Sequence, residues 1–311
     1  MQDAPERSEK IALRLSAAAG AQIAFSSTTE VTGTVTQSDA RMEMSTYEEQ
    51  DYQIVVEKEL AGGELELAVR FGRTVGSLKS PMGECEFDTD EPELPYPPVF
   101  AHQVLSAQAR AGKTFKARVA SNAEVRQVTG YNDIYRTAKQ LEHLQSFTAA
   151  KTDQDGAQDL QTRLCRLPQI QIEPKSSWEL HLPYRVDGNV VEFLLQYTVV
   201  RASAQEVTIA FAGASPQVTV LPTPAKPSSD TSIDARPASP SGSLKVKDAT
   251  LKGTAVVSRI DGFPLRQTTE MSISYTYAEV VPGAGAPTTS MTISETVQRS
   301  PQMAETGSRS K

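Results

Sequence analysis

The densest group of side chains able to hold an ion is the acidic run Asp88-Thr89-Asp90-Glu91-Pro92-Glu93. Asp88, Asp90 and Glu91 could offer oxygens to calcium, a hard cation that takes about six to eight of them. All these ligands come from one short loop without the EF-hand spacing, so a solvated turn is the competing expectation. A hydrolase or other enzyme could use the same carboxylates, Asp88 to Glu93, if burial or like charge raised the pKa of one of them. Calcium apart, no cofactor is expected.

Other reactive groups are scattered. Gly112-Lys113-Thr114 resembles the end of a phosphate-binding loop, but the earlier glycine that such a loop needs is replaced by Ala107, and strand-like sequence follows. His102, His143 and His181 show no helical i, i+4 pairing of the kind a zinc-protease helix uses. Cys165, His181 and Asp187 have no context that aims a base at the thiol, and no G-x-S-x-G elbow occurs. Cys85 and Cys165 are expected to be free thiols. A bridge between them would close a loop of about 80 residues. Trp178 lies in the alternating run Trp178-Glu179-Leu180-His181-Leu182, which predicts core packing. The functional alternative makes it one wall of an apolar pocket, with Phe193, Tyr197, Tyr275 and Tyr277 as neighbours, since small-molecule sites are mostly apolar.

Composition excludes some partners. The 311 residues carry 31 Lys and Arg against 38 Asp and Glu, a net charge of -7. That balance argues against nucleic acid, whose binding rests on cations displacing counterions, and against docking on an anionic membrane. No run approaches the roughly 20 apolar residues of a transmembrane segment. Met1 to Glu6 has neither a basic nor an apolar stretch of a signal peptide. Gln2-Asp3-Ala4-Pro5 suits the polar start of a mature exported protein, so a periplasmic or otherwise extracytoplasmic location is expected.

The elements that would position these residues are mainly strands. Leu65, Leu67, Val69 and Phe71 alternate with polar or small residues; so do Val191, Phe193, Leu195, Tyr197 and Val199, then Val207, Ile209 and Phe211, and then Met271, Ile273, Tyr275 and Tyr277. Period-two alternation marks strands with one dry face, and one-sided strands favour antiparallel sheets. Turns are expected at Ala61-Gly62-Gly63, Asp187-Gly188-Asn189, Ser121-Asn122 and Ile260-Asp261-Gly262-Phe263-Pro264. Helical spacing links Ile134, Ala138, Leu141 and Leu144 behind Asn132 and Asp133 as caps, and links Leu160, Leu164 and Leu167 up to Pro168. A short helix is expected from Pro98, with Phe100, Val104 and Leu105.

The predicted architecture is mainly β with a minor helical part (α+β): curved antiparallel sheets and a central helical segment. Its divisions are a flexible N-terminus (1–10), a first β-rich lobe (11–130), the helical segment (131–168) and a second β-rich lobe (169–299). A Pro- and Ser-rich loop (214–243) interrupts the second lobe and a disordered tail (300–311) follows it.

Several short pieces occur in a shared order: Gly20 to Phe25, Phe87-Asp88-Thr89-Asp90, Ala111-Gly112-Lys113-Thr114-Phe115, Val128-Thr129-Gly130, a Leu-Pro step before Trp178, and Ile260-Asp261-Gly262. In this order the chain resembles a family of uncharacterised bacterial exported proteins classed as a domain of unknown function, from about Leu13 to Val297. It departs from that pattern at Lys175-Ser176-Ser177, where a Gly-Asp pair usually stands, and in the Pro-rich insertion. The resemblance implies export and a β-rich fold, with no known activity or cofactor. In plan the chain is also similar to lipoprotein-carrier folds. The resulting expectation is a non-catalytic binding or scaffolding protein of the cell envelope. Its partner would be an apolar small molecule or an envelope protein.

Overall fold

A computed structural model of the chain describes residues 10–37, 40–138, 141, 151–186, 189–219, 245–276 and 286–300, with backbone alone at 186, 189 and 216–219. Twelve strands form one sheet among these residues: β1 (Gln22–Gln37), β2 (Ala40–Glu59), β3 (Leu65–Ser80), β4 (Gly83–Asp88), β5 (Thr114–Val119), β6 (Val125–Thr129), β7 (Ser177–Val186), β8 (Asn189–Ala202), β9 (Glu206–Thr219), β10 (Lys245–Ser258), β11 (Pro264–Thr276) and β12 (Thr288–Arg299). Their order is β6-β5-β3-β2-β1-β12-β11-β10-β9-β8-β7, with β4 added on β3. Every pairing among them is antiparallel. The fold is therefore mainly β with a minor helical part, as expected, and its antiparallel strands join in one continuous sheet.

The two-residue rhythm explains the strands. On β8, Val191, Phe193, Leu195, Tyr197 and Val199 are all buried, as are Leu65, Leu67, Val69 and Phe71 on β3. Bulges at Gln50/Tyr52 and Val56/Lys58 between β2 and β3, and at Glu192/Leu194 and Val199/Arg201 between β8 and β9, bend the sheet round its buried face. Turns follow the expected chemistry. Ala61-Gly62-Gly63 makes a single 3-10 turn between β2 and β3, with both glycines at positive φ. Gly262 turns the chain between β10 and β11 at φ 73°, and a Cβ there would lie 2.2 Å from the Arg14 carbonyl oxygen. Val186 pairs with Asn189, so β7 and β8 form a hairpin whose turn residues, 187–188, lie outside the described residues.

Helices differ from expectation in their bounds. α1 (Ala101–Arg110) starts after a 3-10 turn at Pro98–Phe100, as the proline suggests, and runs on to Arg110. α2 is Tyr131–Arg136, capped at Gly130, so Asn132 and Asp133 lie inside its first turn instead of capping it. Leu144 lies outside the described residues. α3 is Asp153–Arg163, opened by a capping box in which Thr152 and Asp155 satisfy each other's backbone N–H groups. It ends at Arg163, five residues before Pro168, because Leu164 turns extended at φ -109°, ψ 118°. Similarly, β9 continues to Thr219, so residues 214–219 are strand and not loop; 220–243 and the tail from 301 lie outside the described residues.

The helices pack on the buried face. α2 and α3 approach closely at Gly156, where a Cβ would sit 2.5 Å from Tyr131 Cγ. A polar layer then fastens α3 to the middle of the sheet. Arg163 Nη2 donates to Gln50 Oε1 at 3.0 Å, and its Nε lies 3.5 Å from Glu295 Oε1, an ion pair without hydrogen-bond geometry at that nitrogen. Gln50 Nε2 donates to Thr74 Oγ1 at 3.1 Å, and Gln267 Nε2 donates to the Thr162 carbonyl. Nearby, Arg110 Nη2 pairs with Glu48 Oε1 at 2.9 Å and the Tyr131 hydroxyl donates to Asp159.

Candidate functional site

The acidic turn after β4 is built around an arginine. Arg73 Nε donates to Asp88 Oδ1 at 3.0 Å and its Nη2 donates to Asp88 Oδ2, a two-point clamp. The backbone N–H of Asp90 donates to the same Asp88 Oδ1 at 3.0 Å, and that of Glu91 to the Asp88 carbonyl at 3.1 Å. Arg73 Nε lies 3.5 Å from Asp90 Oδ2. The Arg73 hydrogen bond holds the Asp88 carboxyl down at about 2. A calcium ion would have to displace that guanidinium, and no group of three His, Cys, Asp or Glu side chains forms a metal site among the described residues. Asp90 does line a cavity of about 550 Å³ with Asp51, Arg70 and Arg73. A general acid needs a raised pKa, and Asp88 is shifted the other way.

The expected aromatic pocket is divided. Trp178 stacks on Tyr197 with centroids 5.4 Å apart, and Tyr197 on Phe211 at 5.3 Å. Phe193 is fully buried and meets Tyr184 edge-on at 6.4 Å. These rings fill one side of the core, and the buried indole N–H of Trp178 has no hydrogen-bond partner. Tyr275 is buried elsewhere, on β11, four strands from β7, in register with Val246 and Thr289. Tyr277 lies outside the described residues. Alternation assigns all these rings to the dry face but does not say that β9 and β10 separate them.

Gly112, whose lysine and threonine suggested a phosphate loop, turns the chain out of α1 at φ 71° and donates its N–H to the Phe71 carbonyl at 3.0 Å. Both cysteines are free. Burial pushes the Cys165 thiol up to about 12, whereas Cys85 is partly exposed. A thiol reagent at mildly alkaline pH is therefore expected to modify Cys85 in the folded protein and spare Cys165. Two thiols should titrate after unfolding. Equal rates for both in the folded state would contradict this environment.

Of the far ends of β1, β2, β11 and β12, beyond the polar layer, the sequence singled out only that of β11, through Tyr275 and Tyr277. On their buried face Val31 and Val35 of β1, Met42 and Met44 of β2, Tyr275 of β11 and Met291 of β12 stand with Gly33, Thr46 and Thr289. Met42 is 48% exposed and Met44 49%. A cavity of about 340 Å³ opens here, lined by Val31, Val35, Met44, Tyr275, Thr289 and Met291. The alternating run Val31-Thr32-Gly33-Thr34-Val35-Thr36 is the signal for this end. It is faint because threonine serves both strand and loop. The opposite face carries hydroxyls, and a larger cavity of about 610 Å³ lies against it.

No known protein family and no curated protein matches the chain. Among solved structures, a lipovitellin described for its lipid–protein interactions is similar over 91% of the chain at 7% identity, with a TM-score of 0.48. The chain spans about a quarter of that protein, 25%. The COG4313 outer membrane channel from Pseudomonas putida F1 is matched over 96% of this chain and 100% of its own, at 8% identity and a TM-score of 0.25. A DUF1329 family protein from Desulfovibrio piger is matched over 90% of this chain and 87% of its own, at 7% identity and a TM-score of 0.14. At these values the likenesses assign neither family nor function. No helix among the described residues is long and apolar enough to cross a membrane.

Proposed function

We propose that the protein is an extracytoplasmic binding module that takes the alkyl chain of a small amphiphile at the open apolar end of the sheet. The observation that carries this reading is the half-exposed pair Met42 and Met44 beside a 340 Å³ cavity with Val31, Val35, Tyr275 and Met291 in its lining. Methionine adapts to irregular apolar guests, and each methylene it removes from water contributes about 0.8 kcal/mol. The location outside the cytoplasm rests on the sequence resemblance, and cell fractionation of the source organism tests it.

A fluorescent fatty acid such as cis-parinaric acid tests the site. The wild-type chain is expected to bind it saturably. Val35→Asp, which puts a charge on the cavity wall, should weaken binding at least about tenfold. Trp178→Phe, at the ring stack on the other side of the core, should leave binding unchanged. No saturable binding, or an unaltered Val35→Asp, overturns the assignment.

A further inference from the structure

The outward face of the same strands carries a lattice of hydroxyls. In register across β1, β12 and β11 stand Thr32, Thr292 and Ser272; two residues along come Thr34, Ser290 and Ser274; two further come Thr36, Thr288 and Thr276. The first row continues to Ser45 on β2 and Thr250 on β10, so five adjacent strands present a hydroxyl at one level. Neighbouring groups lie about 4.8 Å apart between strands and about 6.8 Å apart along them.

Two rungs are tied internally. Ser272 Oγ lies 3.2 Å from Thr292 Oγ1, and Ser274 Oγ 3.1 Å from Ser290 Oγ. Each such pair uses one donor, leaving a second donor and spare lone pairs for a guest.

The first row from Ser45 to Ser272 and the second from Thr34 to Ser274 form the floor of a trough. Its cavity of about 610 Å³ reaches from Lys79 at the end of β3 to Asp248 on β10, five strands away in sheet order. Two of the three charged residues at its margins are paired, and the third, Asp248, adds a carboxylate. Glu43 pairs with Arg41 at 2.8 Å, and Lys79 with Glu84 at 4.0 Å. Tyr47, 37% exposed, stands two residues beyond Ser45 on the same face, a ring on which the apolar side of a sugar could rest.

We propose that this trough, which shares Gly33, Thr34, Met44 and Met291 with the lining of the apolar cavity but carries the hydroxyls of the opposite face, is a second binding site for a segment of neutral polysaccharide laid along the hydroxyl rows. Donor-and-acceptor hydroxyls in two dimensions match a ligand made of donor-and-acceptor hydroxyls. Margins whose cations are paired and which carry the Asp248 carboxylate favour a neutral chain over a polyanion.

Native electrophoresis of the full chain through gels containing dextran, hydroxyethyl cellulose or polygalacturonate tests the proposal. At least one of the two neutral polymers is expected to retard the protein. The double variant Ser290→Val, Thr292→Val, which keeps strand-forming residues at both positions, should bind at least about tenfold more weakly. Its melting temperature and cis-parinaric acid binding should match wild type, and Val35→Asp should be retarded as wild type is. Absence of retardation by both neutral polymers, equal retardation by polygalacturonate, or unchanged retardation of the double variant would each overturn the site. None of these results bears on the apolar cavity.

Discussion

Replacing Arg163 by alanine is expected to lower the stability of the fold by about 3 to 5 kcal/mol, a loss set by what the guanidinium leaves behind. Arg163 is 9% exposed, hydrogen-bonded to Gln50, paired with Glu295, and centred 4.7 Å from the Tyr52 ring. Without it, Glu295 keeps a charge in a site largely closed to water. Burial already raises the Glu295 carboxyl above its ordinary 4.5, and Arg163 pulls it only part of the way back. A carboxyl raised in the folded state contributes stability below its unfolded value, and that contribution is lost as pH climbs through the folded value. Removing Arg163 raises the folded value further. The variant's deficit should therefore be small at about pH 4 and largest near neutrality. The double variant Arg163→Met, Glu295→Leu should recover most of it, since a buried pair replaced by apolar groups often costs nothing. Urea unfolding at both pH values checks this; a deficit independent of pH would mean that Glu295 is not the group left uncompensated.

Phe71→Ala should cost a comparable amount, about 3 to 5 kcal/mol, by a different route. Phe71 is 1% exposed, and its ring meets Phe115 at 5.5 Å and Tyr131 at 6.3 Å. The Arg110 guanidinium lies 5.7 Å from its centroid and holds Glu48 at 2.9 Å. Truncation thus opens a cavity where β3, β5 and α2 meet and removes the surface on which Arg110 rests. Phe71→Leu should lose much less, because most of the volume remains. Trp178→Ala is the useful comparison. Trp178 is only partly buried at the margin of the core, so its loss should be the smaller of the two. A Phe71→Ala deficit under about 1 kcal/mol would show that the helices settle on the sheet without this ring.

Much of the secondary structure was legible because strands write it in a local code. Val191 to Val199 and Leu65 to Phe71 alternate so regularly that their dry face needs no partner to be identified. Glycines at 62, 63 and 262 mark turns for an equally local reason, the positive φ they take. The far ends of β1 and β12 were harder, since Thr, Ser and Gly there resemble loop, and pairing over Phe25–Thr36 with Thr288–Arg299 joins segments from opposite ends of the chain. Asp88 was recognised as a charged turn residue, but its partner Arg73, fifteen residues earlier, could not be chosen from among the chain's other cations.

Sequence alone therefore determined that the chain forms antiparallel strands with one dry side, where several of them turn, and that it carries a net charge of -7. Those properties depend on neighbours a few residues apart. Tertiary structure alone decided which strands adjoin, and so separated Tyr275 from Trp178, placed Arg163 against Glu295, left Met42 and Met44 half in water, and aligned hydroxyls from five strands at one level. Such contacts depend on register between segments up to about 270 residues apart, for which an alternating pattern is compatible with many partners and the packing of the whole selects one.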